Sequence, residues 1–211
     1  MRVLAVVVVC ALIGYGVYRL SGSPNTYRYR IVVTVDTPQG PKTGSAVREI
    51  RYSHAIAKLP ESAAASATQI GEAVVVDLPD GRPLFALLST DSYYLFQAAY
   101  GNDAPETLNA ARADRRIARL SPIPGHIPSQ SGYPLFVRFR DLRQPSSAEA
   151  VDPQDIASAD GKYVVRAVTI QMTDAPLTRS IDGRLPWLAS LGGGYLPDTN
   201  GLCSCSFKMG Y

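Results

Sequence analysis

Histidine is nearly missing from this chain: His54 and His126 are the only two in 211 residues. Cysteine is almost as scarce, with Cys10, Cys203 and Cys205. Three cysteines make no disulfide framework of the kind that staples small secreted domains, so burial must hold the core together. A zinc site wants several His or Cys at close spacing, and no histidine lies near the tail cysteines. There is no G-x-S-x-G elbow and no S-x-x-K pair, so no nucleophile comes with its base in the sequence. His54 follows a strand-like segment and His126 sits in the proline-framed stretch PIPGHIPS; each reads as an ordinary surface histidine. Asp77, Asp80, Asp152 and Asp155 have no spacing that picks out a general acid and base, and turn or cap chemistry explains Asp80 and Asp152. The triple glycine Gly192–Gly194 lacks the strand-to-helix context and the Lys-Ser/Thr of a phosphate loop. The sequence therefore assigns no catalytic, cofactor-binding or metal-binding residue, and implies no cofactor.

Charge is also sparse. Charged side chains make up 18% of the chain and the formal net charge is +3. Arg2 and Arg19 flank the first hydrophobic segment. Setting them aside leaves 19 basic against 18 acidic side chains, a net of +1. A domain so near neutrality has no global electrostatic reason to bind nucleic acid. One local exception is Arg112, Arg115, Arg116 and Arg119, which would line one side of a helix. Such a stripe could meet anionic headgroups, but a solvated face with partners such as Asp114 is the plainer reading.

What the chain does have is a long apolar beginning. Val3 to Val17 reads VLAVVVVCALIGYGV, without a charge. At helical rise, Val3 to Leu20 spans roughly 27 Å, near the thickness of a hydrocarbon core. Tyr15 and Tyr18 lie at its far end, where amphipathic rings favour the interface. Residues 1–20 are thus expected to be a transmembrane signal anchor. A cleaved signal peptide, a lipoprotein signal using Cys10 and a buried core helix are the alternatives. The first lacks an A-x-A site, the second has Val9 where a small residue is needed, and the third has no polar face. Counting Arg19, Arg28 and Arg30 against Arg2 alone, the positive-inside rule would keep the domain cytoplasmic. A two-residue head before a hydrophobic run is instead the layout of export signals, and long domains translocate largely regardless of charge. The expected location is a single pass of the inner membrane with a periplasmic domain.

Residues 21–26 form a polar linker, followed by a β-rich extracytoplasmic domain over 27–188 and a flexible glycine-rich tail over 189–211. Gly and Pro number 17 and 16, which suits short strands joined by turns. Tyr27 to Val35 alternates apolar and polar, and Ser45 to Tyr52 reads as its hairpin partner. Ala73 to Leu78 meets Pro83 to Leu88 across Asp80-Gly81, a hairpin signal. Asp103 to Leu120 has capping-box spacing at Asp103 and Glu106, with Ala110, Ala113, Ile117 and Leu120 near helical period. Leu135 to Arg140 alternates, and Asp152-Pro153 would open a helical turn at Gln154 to Ala159. Val164 to Thr173 is the longest strand, with Val164, Val168, Ile170 and Met172 on one face. Ile170 should be among the most buried residues, and Arg166 should reach solvent or a carboxylate. The fold class expected is α+β: predominantly antiparallel β, one main helix mid-chain, and the N-terminal transmembrane helix.

Three stretches, YRYRIVVTVDTPQGPKTGSAVREIRY at 27–52, VDPQDIASADGKYVVRAVTIQMTDAPLTRSID at 151–182 and LPWL at 185–188, together resemble a set of uncharacterised, membrane-anchored proteins of proteobacteria. The resemblance lies in the hairpin and the late strand, leaves the cysteine-containing tail outside, and implies no activity or site residue. The function expected is a non-enzymatic, membrane-tethered envelope protein that binds a protein or an envelope surface. The alternative is a hydrolase-type enzyme whose site gathers residues distant in sequence, since an active site need not leave a local motif.

Overall fold

The structure is a computed structural model, and it describes residues 25–53, 66–88, 95, 98–101, 113–122 and 132–210. It is predominantly antiparallel β with a few short helices. Strands β1 (Asn25–Asp36) and β2 (Lys42–Ser53) form the expected hairpin, with Tyr29 opposite Arg48 and Ile31 opposite Ala46. Alternation sends Tyr27, Tyr29, Ile31, Val33 and Val35 to one face, and all five are buried. The turn between the strands closes through the Gly40 N–H, which donates to the Thr37 carbonyl at 2.9 Å.

β3 (Ser66–Glu72) pairs with β2, and after the single residue Ala73 the chain becomes β4 (Val74–Val76) of a second sheet. One stretch of chain thus turns the corner from one sheet to the other. Gly44 permits the two sheets to cross closely there: a Cβ at this position would lie 2.0 Å from the Val75 carbonyl oxygen.

The remaining strands are β5 (Leu84–Ala86), β6 (Ala118–Arg119), β7 (Phe136–Phe139), β8 (Ala148–Ala150), β9 (Ile156–Ser158), β10 (Gly161–Met172) and β11 (Lys208–Met209). The larger sheet has the order β11-β3-β2-β1-β10-β6, with β9 also on β10; the smaller is β4-β5-β7-β8. The expected hairpin at Asp80-Gly81 is present: Val74 pairs with Ala86 and Val76 with Leu84, and the Gly81 N–H donates to the Leu78 carbonyl.

Two apolar clusters hold these layers. Between the sheets lie Ile31, Val33, Val74, Val76, Leu84, Phe136, Val168 and Ile170. On the other face of the small sheet, Phe85, Val137 and Phe139 meet Ile181, Leu185, Leu188, Leu196 and Phe207. The small sheet is therefore covered on both faces, which is why LFA and FV in β5 and β7 are unbroken apolar runs. The covering layer carries two short helices, α1 (Ile181–Arg184) and α2 (Leu188–Leu191). Phe85, Phe139, Trp187 and Phe207 stack edge-on or tilted there, at centroid separations between 5.3 and 6.2 Å.

Four expectations are corrected. First, 189–210 is no mobile tail. Phe207 is fully buried, β11 pairs with β3, and the Phe207 and Ser206 carbonyls accept from Ala73 and Leu88 N–H, both at 2.8 Å. A buried phenylalanine side chain is worth about 1.5–3 kcal/mol, which outweighs the glycine content that suggested disorder. Second, helix does not extend to Leu120. Residues 103–112 lie outside the described residues, but Ala118–Arg119 is strand paired with Thr169–Ile170, and Ile117 is 70% exposed. Pairing with β10 overrides the local period. Third, Gln154–Ala159 holds a turn and then strand β9, not a helical turn. Fourth, Val164 does not share the face of Val168. Thr34 pairs with Ala167 but Val35 with Val165, so Arg166 is an extra residue and the bulge inverts the phase. Tyr163 and Val165 are buried in its place. Ile170 is 1% exposed, and Arg166 Nε donates to Asp36 at 2.9 Å, both as expected.

Candidate functional site

A cleft of about 560 Å³ opens at the end of the large sheet where β1 begins. Register builds it. Arg28 faces Glu49 across the hairpin, and Thr26 faces Arg51, so two cations flank one carboxylate. Arg28 Nε and Arg51 Nε each donate to a separate oxygen of Glu49 at 2.7 Å. Burial pushes the Glu49 carboxyl up, but the two arginine bonds and their charges outweigh it, so its pKa is lowered. Across the cleft Arg115 donates to Asp174 at 2.7 Å, and Gln171 Nε2 holds the Arg115 carbonyl at 2.8 Å. The floor is Tyr27 and Met172. Arg28, Arg51 and Arg115 are each about half exposed, and Asp174 is almost fully so. The cleft thus presents hydrogen-bonding arginine edges around a small apolar floor.

A second polar cluster lies under the Asp80 turn. Arg138 donates to both oxygens of Asp80 at 2.7 Å, to the Arg82 carbonyl at 2.6 Å and to the Ala157 carbonyl at 3.2 Å. Both side chains are almost wholly buried. Burial raises the Asp80 pKa, but Arg138 and the Arg82 N–H overcome it and the net shift is downward. Beside it Asp160 accepts from Ser158, from Tyr163 OH at 2.5 Å and from Gln39 at 2.6 Å. These hydroxyl and amide bonds, the Ser158 bond foremost, bring its pKa from 3.8 to about 2.

A third cluster is structural. Arg48 is buried beneath the sheet corner, donating to the Glu72 carbonyl at 2.9 Å and the Ala86 carbonyl at 3.1 Å. Tyr29 OH accepts from Gln69 beside it, and burial raises the tyrosine pKa despite Arg48. The Glu72 carboxylate accepts from the Ser180 N–H, the Ser180 hydroxyl and the Ile181 N–H, fixing the start of α1.

The residues singled out from sequence scatter. Cys10, His54, His126 and Arg112 lie outside the described residues. The three described arginines of the stripe diverge: Arg115 reaches Asp174, Arg116 pairs with Asp114, and Arg119 donates to the Arg166 carbonyl. Asp77 receives both terminal nitrogens of Arg184 at 2.7 Å, Asp155 pairs with Lys162, and Asp152 accepts from the Gln154 N–H as a turn residue should. Gly192, with φ 53°, ends α2 as a left-handed cap. Cys203 and Cys205 are joined by a disulfide across Ser204, with Cα atoms 5.1 Å apart. Among the described residues no three His, Cys, Asp or Glu side chains gather as metal ligands, and no helix is long and apolar enough to cross a membrane.

Sequence reasoning missed the Arg28–Glu49–Arg51 triad and the Asp80–Arg138 pair. The first was legible once the hairpin register is written out. The second joins positions 58 apart and leaves no local signal. No family model, curated protein or solved structure matches the chain.

Proposed function

We propose that this chain is a membrane-tethered envelope domain that binds, without catalysis, a protein or an envelope surface through the cleft at the start of β1. Residues 1–20 are the single transmembrane anchor in the inner membrane, and the domain is periplasmic. The observation that carries the reading is position. Thr26 and Arg28 line the cleft, and β1 starts at Asn25, five residues beyond Leu20. A tether so short keeps the cleft beside the point of attachment, so an occupant is met near the membrane. Arginine edges over an apolar floor suit a peptide or headgroup that brings carboxylate, phosphate or carbonyl acceptors.

The protonation of Glu49 suits a binding cleft rather than one that holds a general acid. A general acid needs a carboxyl held protonated near neutrality. Glu49, Asp80, Asp114 and Asp160 are all shifted the other way and held as anions.

Site-specific photo-crosslinking in intact cells tests the reading. A crosslinking residue at Arg115 should capture an envelope protein or lipid. The same residue at exposed Thr43, on the hairpin's opposite end, should not. Equal capture at both positions would overturn the assignment of the cleft.

A further inference from the structure

We propose that Cys203 and Cys205 are a redox-active pair that exchanges disulfide for dithiol with a cysteine-bearing extended polypeptide docked beside Tyr195. This site is separate from the cleft and does not depend on the tether.

The disulfide bridges a single residue, and so short a loop removes little freedom from the unfolded chain. The fold around it is held by other means. Ser204 N–H donates to the Gly194 carbonyl at 2.9 Å, Leu196 N–H to Leu202 at 2.8 Å, and Phe207 N–H to Ser204 at 3.0 Å. Leu196 and Phe207 are buried on either side. None of these contacts uses the sulfur–sulfur bond, so it can open while the domain stays folded.

The surroundings suit exchange. Cys203 and Cys205 are each half-buried, so an incoming thiolate can reach them. The Cys205 N–H points at Cys203 Sγ, 3.1 Å away, and would stabilise negative charge on that sulfur as it departs. Tyr195 forms an isolated antiparallel bridge with Cys203. The flanking hydrogen bonds, Leu196 to Leu202 and Ser204 to Gly194, make this a non-hydrogen-bonded pair, the kind whose side chains lie closest on one face. Tyr195 is 73% exposed, and Ile117 is the only other large hydrophobic residue so exposed among the described residues. An exposed ring next to a reachable sulfur is a docking platform for a segment that carries a thiol. The preceding Gly192–Gly194 stretch has no side chains to obstruct it.

The chemistry balances as two exchanges. A thiolate of the partner attacks Cys205 Sγ; a bond to the partner sulfur forms, the bond to Cys203 breaks, and Cys203 leaves as thiolate. The partner's second thiolate then attacks its own sulfur in the mixed disulfide and releases Cys205. The partner loses two electrons and becomes a disulfide, and Cys203 and Cys205 gain them and take up two protons as thiols.

The test uses the full chain in detergent, with Cys10→Ser in every sample. The probes are reduced glutathione and a decapeptide with two cysteines flanking an aromatic residue. Alkylation and peptide mapping should show Cys203 and Cys205 oxidised as isolated, reduced by either probe, and reoxidised by oxidised glutathione, with near-ultraviolet circular dichroism unchanged throughout. Cys203→Ser should trap a mixed disulfide through Cys205 when given the decapeptide with one cysteine replaced by serine and the other carried as its glutathione disulfide, since no second peptide thiol is then present to release it. Tyr195→Ala should slow reduction by the decapeptide about three- to tenfold, the loss of one aromatic contact, and leave the glutathione rate unchanged. A bond that yields only when the domain unfolds would overturn the proposal. So would free thiols in the protein as isolated, or equal rates for Tyr195→Ala and the unaltered chain with the decapeptide.

Discussion

Asp80→Asn removes one charge from beneath the turn while keeping the shape of the side chain. The amide oxygen can still accept from the Arg82 N–H, which Asp80 does at 3.1 Å. What is lost is the anion facing Arg138, whose side chain is 5% exposed. Breaking a buried ion pair by removing one partner typically costs about 3–5 kcal/mol, because the other charge is left uncompensated. Here two carbonyl acceptors, Arg82 and Ala157, still receive the guanidinium and soften that loss. The expected destabilisation is therefore about 2–4 kcal/mol, with each remaining charge-assisted bond contributing in the range of about 1.5–3 kcal/mol. Urea melts at neutral pH on the unaltered chain, Asp80→Asn, Arg138→Met and the double variant measure it as a cycle. Arg138→Met alone should cost less than Asp80→Asn, since Asp80 keeps the Arg82 N–H and has the Arg82 guanidinium at 3.7 Å. A coupling energy below about 0.5 kcal/mol would mean that the two groups do not depend on each other, and the reasoning would fail.

Three further outcomes follow from the fold. Gly44→Ala places a Cβ against the Val75 backbone, which cannot rotate away, so the sheets must separate; a loss of about 1–3 kcal/mol or more is expected in the same melts, and an unchanged midpoint would contradict the crossing. Ile170→Ala should cost roughly 2–5 kcal/mol, whereas Lys162→Ala, which loses only an exposed pair with Asp155, should stay within about 0.5 kcal/mol; equal midpoints would misplace the core. Asp160 is more acidic folded than unfolded, so its contribution is complete above its ordinary pKa of 3.8 and fades as pH falls toward about 2. Asp160→Asn should therefore flatten the acid limb of a stability–pH curve in that window, and an unaltered limb would show that its partners do not hold it as an anion.

Where periodicity and turn chemistry act locally, the sequence was informative. Tyr27 to Val35 alternates because one face of β1 meets the small sheet, and Asp80-Gly81 marks a turn because Gly81 takes φ 76°. Where a distant strand decides the conformation, local signals misled. Ala118 and Arg119 read as helix by spacing, yet backbone pairing with Thr169 and Ile170 sets them as strand. The bulge turns Val164 to the opposite face, and it leaves no mark in residue type beyond the single Arg166 that interrupts the apolar run. The last stretch read as mobile because Gly192–Gly194 and Gly201 break any period. Its order comes instead from Leu196 and Phe207 reaching a sheet face assembled from residues 73 to 148. The cleft follows the same division. Arg28 and Glu49 were present in a recognised hairpin and needed only its register, whereas Arg115 and Asp174 meet through the tertiary fold.

Residues 1–20 are the proposed tether. Fractionation of cells producing the full chain, beside the same chain lacking Met1 to Leu20, tests it. The full chain should sediment with membranes, resist extraction by high salt and alkaline carbonate, and come free in detergent. Protease added to the outside of osmotically opened cells should reach its domain, and the shortened chain should be soluble and folded. A full chain found in the soluble fraction, together with a shortened chain that fails to fold, would make the segment part of the core and contradict the account.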